Sequence, residues 1–370
     1  MELSDSKKVL VCLFFAILFL PHLIWMVAKD YVDSINYENR TAQEKPQIDW
    51  NNFAAFTSGY EAYYNDSLPF RNQLIRLNSK IEYYIFNNSS NENVVIGKDG
   101  WLFYCRKDDG DPIACYKAVD LFSQEELDLI MENLVKTQRF LEDRNCEFIL
   151  YIAPNKERIY YEKMPDYYGI LGKYNRVDQL VEFLKKNTSI RIVYPYDDLM
   201  EIKDECPDLA LYHQVDTHWN TAGGYIGGKA LLQELGIILP EINEESIILE
   251  KIPNDSADLA DMLYMRKELN QEMDYEIMGY DNYQMSVDEY DFYGEYRFRC
   301  SGNADERRVL ISRDSFCTAM SNVIGSQFKE SRMINRASFS NDIVEEYKPD
   351  VFVYELVERY LPSLCWFSLE

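Results

Sequence analysis

Two short stretches carry the residue types that acyl transfer needs. The segment 212–228, YHQVDTHWNTAGGYIGG, holds two of the three histidines of the chain. Asp216 stands two residues before His218, so in an extended or looped backbone both side chains project from the same side. A carboxylate so placed holds the tautomer of the imidazole while the other ring nitrogen faces a nucleophile. The second stretch, RVLISRDSF at 308–316, presents Ser315 where an apolar run gives way to a helix. At such a turn the hydroxyl is offered outward, and N–H groups of the helix N-terminus can face a developing oxyanion. Asp314 beside it is a turn former. D-S-F after a strand is common, and a histidine beside a tryptophan is often a hydrogen-bonded anchor. Their conjunction is what points to a Ser–His–Asp set, because His22 lies in an apolar run and His213 has no acid two residues before it.

These residues need a scaffold, and the chain supplies a strand and helix rhythm. NVVIGKDGWLFY (93–104) reads as a hairpin. SQEELDLIMENLVKTQRFLEDR (123–144) opens on Ser123 with Glu126 three residues on, a capping box followed by an amphipathic helix. CEFILYIAP (146–154) is a continuous apolar run of strand length, as a strand buried on both faces requires. A helix over 176–186, the strand IRIVYP, a helix after Asn220, and strands over 307–312 and 350–356 follow. Alternating strands and helices predict a parallel sheet covered on both faces, with functional loops at the strand carboxyl ends. Asn220 or Thr221 caps the helix after His218, and Gly223, Gly224, Gly227 and Gly228 let it pack closely on the sheet. No strand–GxGxxG–helix order supports a phosphate cradle there.

The N-terminal part has a different character. Residues 9–28, VLVCLFFAILFLPHLIWMVA, form an uncharged apolar run of membrane-spanning length, preceded by Lys7 and Lys8. Its exit carries Trp25 and no A-x-A site, so it reads as an uncleaved signal anchor, with a cleaved signal peptide as the alternative. Pro21 kinks such a helix without preventing insertion, and Lys7 and Lys8 place the N-terminus in the cytoplasm and the remainder outside. The expected division is an anchor at 1–29, a linker and helical lead-in at 30–92, and a catalytic domain at 93–370. That domain contains an acidic, tyrosine-rich insertion at about 240–300 with weak periodicity. Tyr60, Tyr63 and Tyr64 recur at helical spacing and read as packing rather than as a sugar platform.

Composition removes other classes. With 63 Asp and Glu against 38 Lys and Arg, the net charge is −25, which excludes phosphate-neutralising contact with nucleic acid and disfavours a strongly anionic polymer. Of the eight cysteines Cys12 lies in the apolar run, and Cys105 and Cys115 bracket a turn that a disulfide could close. No clustered Cys/His set suggests zinc, and no cofactor is expected.

The motifs NRTAQEKP, YEAYYNDSLPFRNQL, VVIGKDGWLFY, FILYIAPNKERIY, DTHWNTAGG, VLISRDSF and VYELVERYL together resemble the DHHW and alginate O-acetyltransferase-like (AlgX/AlgJ) branch of the SGNH hydrolase superfamily. The resemblance implies an SGNH-hydrolase-like, flavodoxin-like α/β fold, with Ser315 as nucleophile, His218 as general base and acid, and Asp216 as orienting carboxylate. It also implies a multipass membrane O-acyltransferase as acetyl donor and a polysaccharide acceptor. Lys156, Arg158, Arg313 and Arg359 fall in family-like stretches and are candidate substrate-binding residues, with structural ion pairing as the alternative. Thr217 replaces the second residue of D-H-H-W, where its side chain is expected to point away from its neighbours. Arg313 replaces the usual glycine before D-S-F, and no G-x-N-D supplies a side-chain oxyanion donor. An acetylesterase with the same triad, or a non-catalytic glycan-binding protein on this scaffold, are the rival functions.

Overall fold

The computed structural model describes residues 5–33, 35–37, 41–48, 50, 52–280, 285–290, 295–302 and 304–370. Parts of the 30–92 linker and lead-in and of the tyrosine-rich segment therefore lie outside the described residues. The chain forms two compact units, one of residues 1–91 with 260–268 and one of residues 92–259 with 269–370.

The smaller unit contains three long helices: α1 (Asp5–Ala28), α2 (Phe53–Ser67) and α3 (Arg71–Phe86). The apolar side chains of α1 are exposed, and the helix is long and apolar enough to cross a membrane.

The larger unit opens with the expected hairpin, β1 (Val94–Ile96) against β2 (Leu102–Tyr104). Helix α4 (Gln124–Glu142) starts on the expected capping box of Ser123 and Glu126. It is followed by β3 (Glu147–Ala153), α5 (Arg176–Asn187), β4 (Arg191–Val193), α6 (Tyr196–Glu205) and α7 (Thr221–Glu234). The acidic insertion is ordered where described: β5 (Ile248–Pro253) pairs antiparallel with β6 (Met273–Met278), while β7 (Met285–Tyr290) and β8 (Tyr296–Cys300) join the main sheet. Then come β9 (Asp305–Arg313), α8 (Cys317–Gly325), β10 (Phe328–Asn335), α9 (Asn341–Tyr347) and β11 (Val351–Val357).

The main sheet runs β4-β3-β11-β9-β10-β8-β7. Its first five strands are mutually parallel, but β8 pairs antiparallel with β10 and β7 with β8. The sheet is thus mixed, not purely parallel, because a local hairpin extends one edge without a crossover helix. Counted from β9, the parallel strands fall in the order 2-1-3-4-5, the flavodoxin-like arrangement entered at its fourth strand. This permutation explains why the histidine motif precedes the serine in the chain.

Alternate strand residues feed two cores, the reason these segments read as continuous apolar runs. Ile149, Tyr151, Val309, Ile311 and Val353 face one way and pack with α6, α7 and α8. Phe148, Leu150, Leu310, Phe352 and Leu356 face the other and pack with α4, α5 and α9. Strand β10 carries no such run, since Lys329, Glu330 and Arg332 alternate with its buried positions, and it has no clear signature in the sequence.

All eight cysteines are free thiols, so Cys105 and Cys115 are not bridged. Each of these two thiols has a separate partner: Cys105 donates to the Glu92 carbonyl and Cys115 to the Asp120 carboxylate.

Candidate active site

The loop carrying Asp216 and His218 is a tight hairpin. Asn220 N–H donates to Leu211 at 3.1 Å and His213 N–H to His218 at 3.2 Å, with Tyr212 bridged to Trp219 between them. The Lys156 ammonium fills the loop from beneath, donating to the carbonyls of Leu102 (2.6 Å), Gln214 (3.0 Å) and Asp216 (2.9 Å). Burial pushes its pKa down to about 8, against the pull of Asp216 and other acids nearby. Glu272 accepts from the Gln214 N–H at 2.8 Å and tethers the outer side.

A relay of short hydrogen bonds results. His218 Nδ1 lies 2.7 Å from Asp216 Oδ1, and His218 Nε2 lies 2.7 Å from Ser315 Oγ. The backbone N–H of His218 also donates to Asp216 Oδ1, at 3.0 Å. Burial opposes charge on both partners, but their mutual bond wins: the Asp216 pKa falls well below the carboxylate range and that of His218 rises. Ser315 is exposed at the end of β9, so its hydroxyl is open to a donor.

The turn around Ser315 is held by its neighbours. The Asp314 carboxylate accepts from the N–H groups of Phe316 (2.9 Å) and Val357 (2.7 Å), tying the ends of β9 and β11 together. Its own N–H donates to the buried Glu355 carboxyl at 2.7 Å. Burial and the neighbouring Asp314 push the Glu355 pKa up, disfavouring its charge in the sheet interior. The two motifs are also joined directly, because the Trp219 indole N–H donates to the Phe316 carbonyl at 2.8 Å.

Residues 94–280, just over half of the chain, match the model of the SGNH hydrolase-like domain of the acetyltransferase AlgX. The chain belongs to this family. Among curated proteins it is 27% identical over 183 residues to the probable alginate O-acetylase AlgJ of Pseudomonas aeruginosa. That match takes in 49% of this chain and 42% of the relative, so the chain spans less than half the length of the curated protein it resembles. The fold resembles PatB1 of Bacillus cereus with a TM-score of 0.52 and 14% identity, over 74% of this chain and 99% of that one. It equally resembles a DHHW family protein of Eubacterium siraeum (TM-score 0.51, 13% identity), over 75% and 99% of the two chains.

Within this AlgX-type domain the expected site residues separate. Ser315, His218 and Asp216 come together, and Arg359 lies beside them. The Arg359 guanidinium is buried against Phe316 (5.5 Å to the ring centre), Tyr104 (5.6 Å) and Tyr360 (4.9 Å), and its charge acts on His218. Among the described residues its Nε has no hydrogen-bond partner. Arg158 is engaged elsewhere, 2.7 Å from Asp178 and 3.4 Å from Glu358. Arg313 lies over Tyr296 and donates to the Asp314 carbonyl at 3.1 Å, bracing the Ser315 turn. Lys156 makes the loop contacts described above.

Asp258, which no motif or periodicity in the sequence singles out, also belongs here. Its carboxylate accepts from the Thr217 N–H at 2.7 Å, its own N–H donates to Asp216 Oδ2 at 2.7 Å, and its Oδ2 lies 3.8 Å from His218 Nδ1. The Thr217 side chain is buried, and it is the backbone N–H of Thr217 that meets this carboxylate. The ligand atoms of Asp216, His218 and Asp258 lie within 4.8 Å of one another, close enough for a metal ion. The only imidazole nitrogen among them already bonds Asp216 at 2.7 Å, so the set is read as a hydrogen-bond relay.

Glycines hold His218 and Ser315 at this distance. Helix α7 follows His218, α8 follows Ser315, and the two pack where a Cβ on Gly224 would meet the Ala319 carbonyl oxygen at 2.5 Å and carbon at 2.6 Å. The expected packing of these glycines on the sheet holds for Gly227, against Tyr151 of β3, but Gly224 and Gly228 face α8. Gly224→Val is expected to push the helices apart, lower stability by about 1–3 kcal/mol, and lower activity more than stability, because the His218–Ser315 bond is the first geometry lost. Thermal melting and esterase rate, measured on one preparation, check this.

Proposed function

We propose that this protein is a membrane-anchored O-acetyltransferase working outside the cytoplasmic membrane, passing an acetyl group through Ser315 to a hydroxyl of a polysaccharide. The observation that carries the reading is the unbroken line of hydrogen bonds from Asp216 through His218 to an exposed serine, in a chain of an acetyltransferase family.

In the first step Ser315 Oγ attacks the acetyl carbonyl and its proton passes to His218 Nε2. The imidazolium is held by Asp216. The tetrahedral oxyanion is met by N–H groups at the Ser315 turn and the start of α8, with the buried charge of Arg359 close by. Collapse breaks the donor's acyl–oxygen bond, and the leaving oxygen takes the proton from His218. The second step reverses the roles: an acceptor hydroxyl gives its proton to His218, attacks the acetyl carbonyl and frees Ser315. The apolar α1, with Lys7 and Lys8 before it, supports an anchored domain beside a multipass acyltransferase that supplies acetyl groups. The net charge of −25 favours a neutral acceptor glycan over a strongly anionic one. Lys156, Arg158 and Arg313 act in this reading as supports of the loops, and Arg359 as the group nearest the substrate.

An acetylesterase is the second reading, favoured by the exposure of Ser315, which admits water as readily as sugar. To separate the two, the full chain in detergent is given a chromogenic acetyl ester with and without a neutral oligosaccharide. The expected result is an acetyl adduct of about 42 Da on the Ser315 peptide, faster turnover with the oligosaccharide, and an acetylated sugar product. Turnover that never acetylates any sugar offered would leave the esterase; no adduct and no turnover from folded protein would sink both.

A further inference from the structure

Asp258 lies outside the Ser315–His218–Asp216 line, yet its N–H and one carboxylate oxygen are both used on the loop that carries Asp216 and His218. Its N–H holds the oxygen of Asp216 that His218 does not use, and its carboxylate accepts from the N–H of Thr217, the residue between the two. The two acidic residues thus clamp each other's loops reciprocally. The free end of the Asp258 carboxylate stands 3.8 Å from the imidazole nitrogen that bonds Asp216. Among the described residues no lysine or arginine lies within ion-pair distance of it, so the only cation it can meet there is a protonated His218.

We propose that Asp258 is a second carboxylate of the site, a positioning residue that clamps the Asp216–His218 loop and governs the protonation of His218. This rests on His218 being the general base for Ser315. When His218 takes the serine proton, the imidazolium is flanked by two carboxylates instead of one. The groups that act on its charge are Asp216 and Asp258 on one side and Arg359 on the other, the acids raising and the arginine lowering its pKa. Lys156 sits under the same loop, bonded to the Asp216 carbonyl. Loss of solvent around its carboxylate and the charge of Asp216 raise the pKa of Asp258 above the ordinary carboxylate value, less than full burial would because the side chain is partly exposed. Its side chain keeps 43% of its exposure, and solvent screening limits its pull on the imidazole accordingly. A charge at 3.8 Å in a partly wet site is worth about one pH unit on its neighbour.

Asp258→Asn keeps an acceptor for Thr217 and removes the charge; Asp258→Glu restores the charge. Both are made in the full chain, and two quantities are followed from pH 5 to 9. One is the titration of His218, read by NMR from carbon-labelled histidine and assigned by its loss in His218→Gln. The other is the rate of acetyl-adduct formation on Ser315. The asparagine variant should titrate His218 about one pH unit lower than wild type. Its acid limb of activity should shift by the same amount and its plateau rate fall roughly 3- to 10-fold. The glutamate variant should recover part of both. A His218 titration and acid limb that overlay wild type in the asparagine variant would overturn the proposal, as would an equal shift in the glutamate variant. Absence of any Ser315 adduct in wild type is a separate outcome: it defeats the acetyl-enzyme reading, while the NMR titration still reports whether Asp258 governs His218.

Discussion

Ser315→Ala is expected to abolish the acetyl adduct and lower turnover by at least ~10³-fold, with the melting temperature of the protein unchanged. The loss is chemical, because among the described residues the Ser315 hydroxyl is the one hydrogen-bonded to the His218 ring. His218 Nε2 bonds Ser315 Oγ at 2.7 Å, and the backbone about the serine is fixed by Asp314, Phe316 and Val357 without use of the hydroxyl. Removing the exposed Oγ takes a partner only from the partly exposed His218 Nε2, where water at the open serine position can replace it, so stability has no reason to fall. Intact-protein mass spectrometry after exposure to an acetyl ester, together with a thermal melt, tests both halves. Turnover that survives this substitution would end the proposed mechanism.

Asp216→Asn is expected to cost nearly as much, on the order of 10³–10⁴-fold in rate, for a different reason. In wild type the two oxygens of Asp216 accept three N–H groups, from His218 Nδ1, from His218 N and from Asp258 N. An amide has one oxygen. If that oxygen serves Asp258, the NH₂ group faces the imidazole, forces Nδ1 to accept, and leaves the proton on Nε2, where it cannot take the one from serine. If the oxygen serves His218, the NH₂ group opposes the Asp258 N–H and the clamp opens. Either way the imidazolium loses its carboxylate. The pH profile gives an independent check. His218 must be neutral to act as base, and Asp216 raises its pKa, so wild-type activity should fall on the acid side with a midpoint above the ordinary histidine value of about 6.5. In the asparagine variant the residual activity should have its acid limb below the wild-type one. A variant retaining more than about a tenth of wild-type rate would show that Asp216 does not orient the base.

Much of the fold and of the site is legible in the order of the residues. The capping box of α4, the buried strands β3 and β11 and the strand before Ser315 all follow from patterns that act within a few residues. The pairing of Asp216 with His218 is legible for the same reason, since two residues of separation leave little room for another geometry. What stays hidden depends on distant parts of the chain. Strand β10 looks polar because half of it faces solvent and cross-strand charges, as in the 3.3 Å pair of Arg308 with Glu330. The β7–β8 hairpin makes the sheet mixed; YRFRC of β8 does alternate apolar and polar residues, but alternation alone does not say that it pairs with β10 at a sheet edge.

The sequence by itself determined the chemical parts: a serine at a strand end, a histidine with its acid, a helix apolar enough for a membrane, and a charge that excludes nucleic acid. Those are statements about residue type and short spacing. Which residues meet follows from contacts between distant parts of the folded chain. The tertiary structure brought together two motifs 97 residues apart through the Trp219–Phe316 bond and the glycine seam of α7. It separated Arg359, beside the site, from Arg313, which braces the Ser315 turn, and from Arg158, which pairs with Asp178 and Glu358. It also recruited Asp258 from an acidic stretch without periodicity. A carboxylate is given its role by what it faces once the chain is folded, and no local pattern records that.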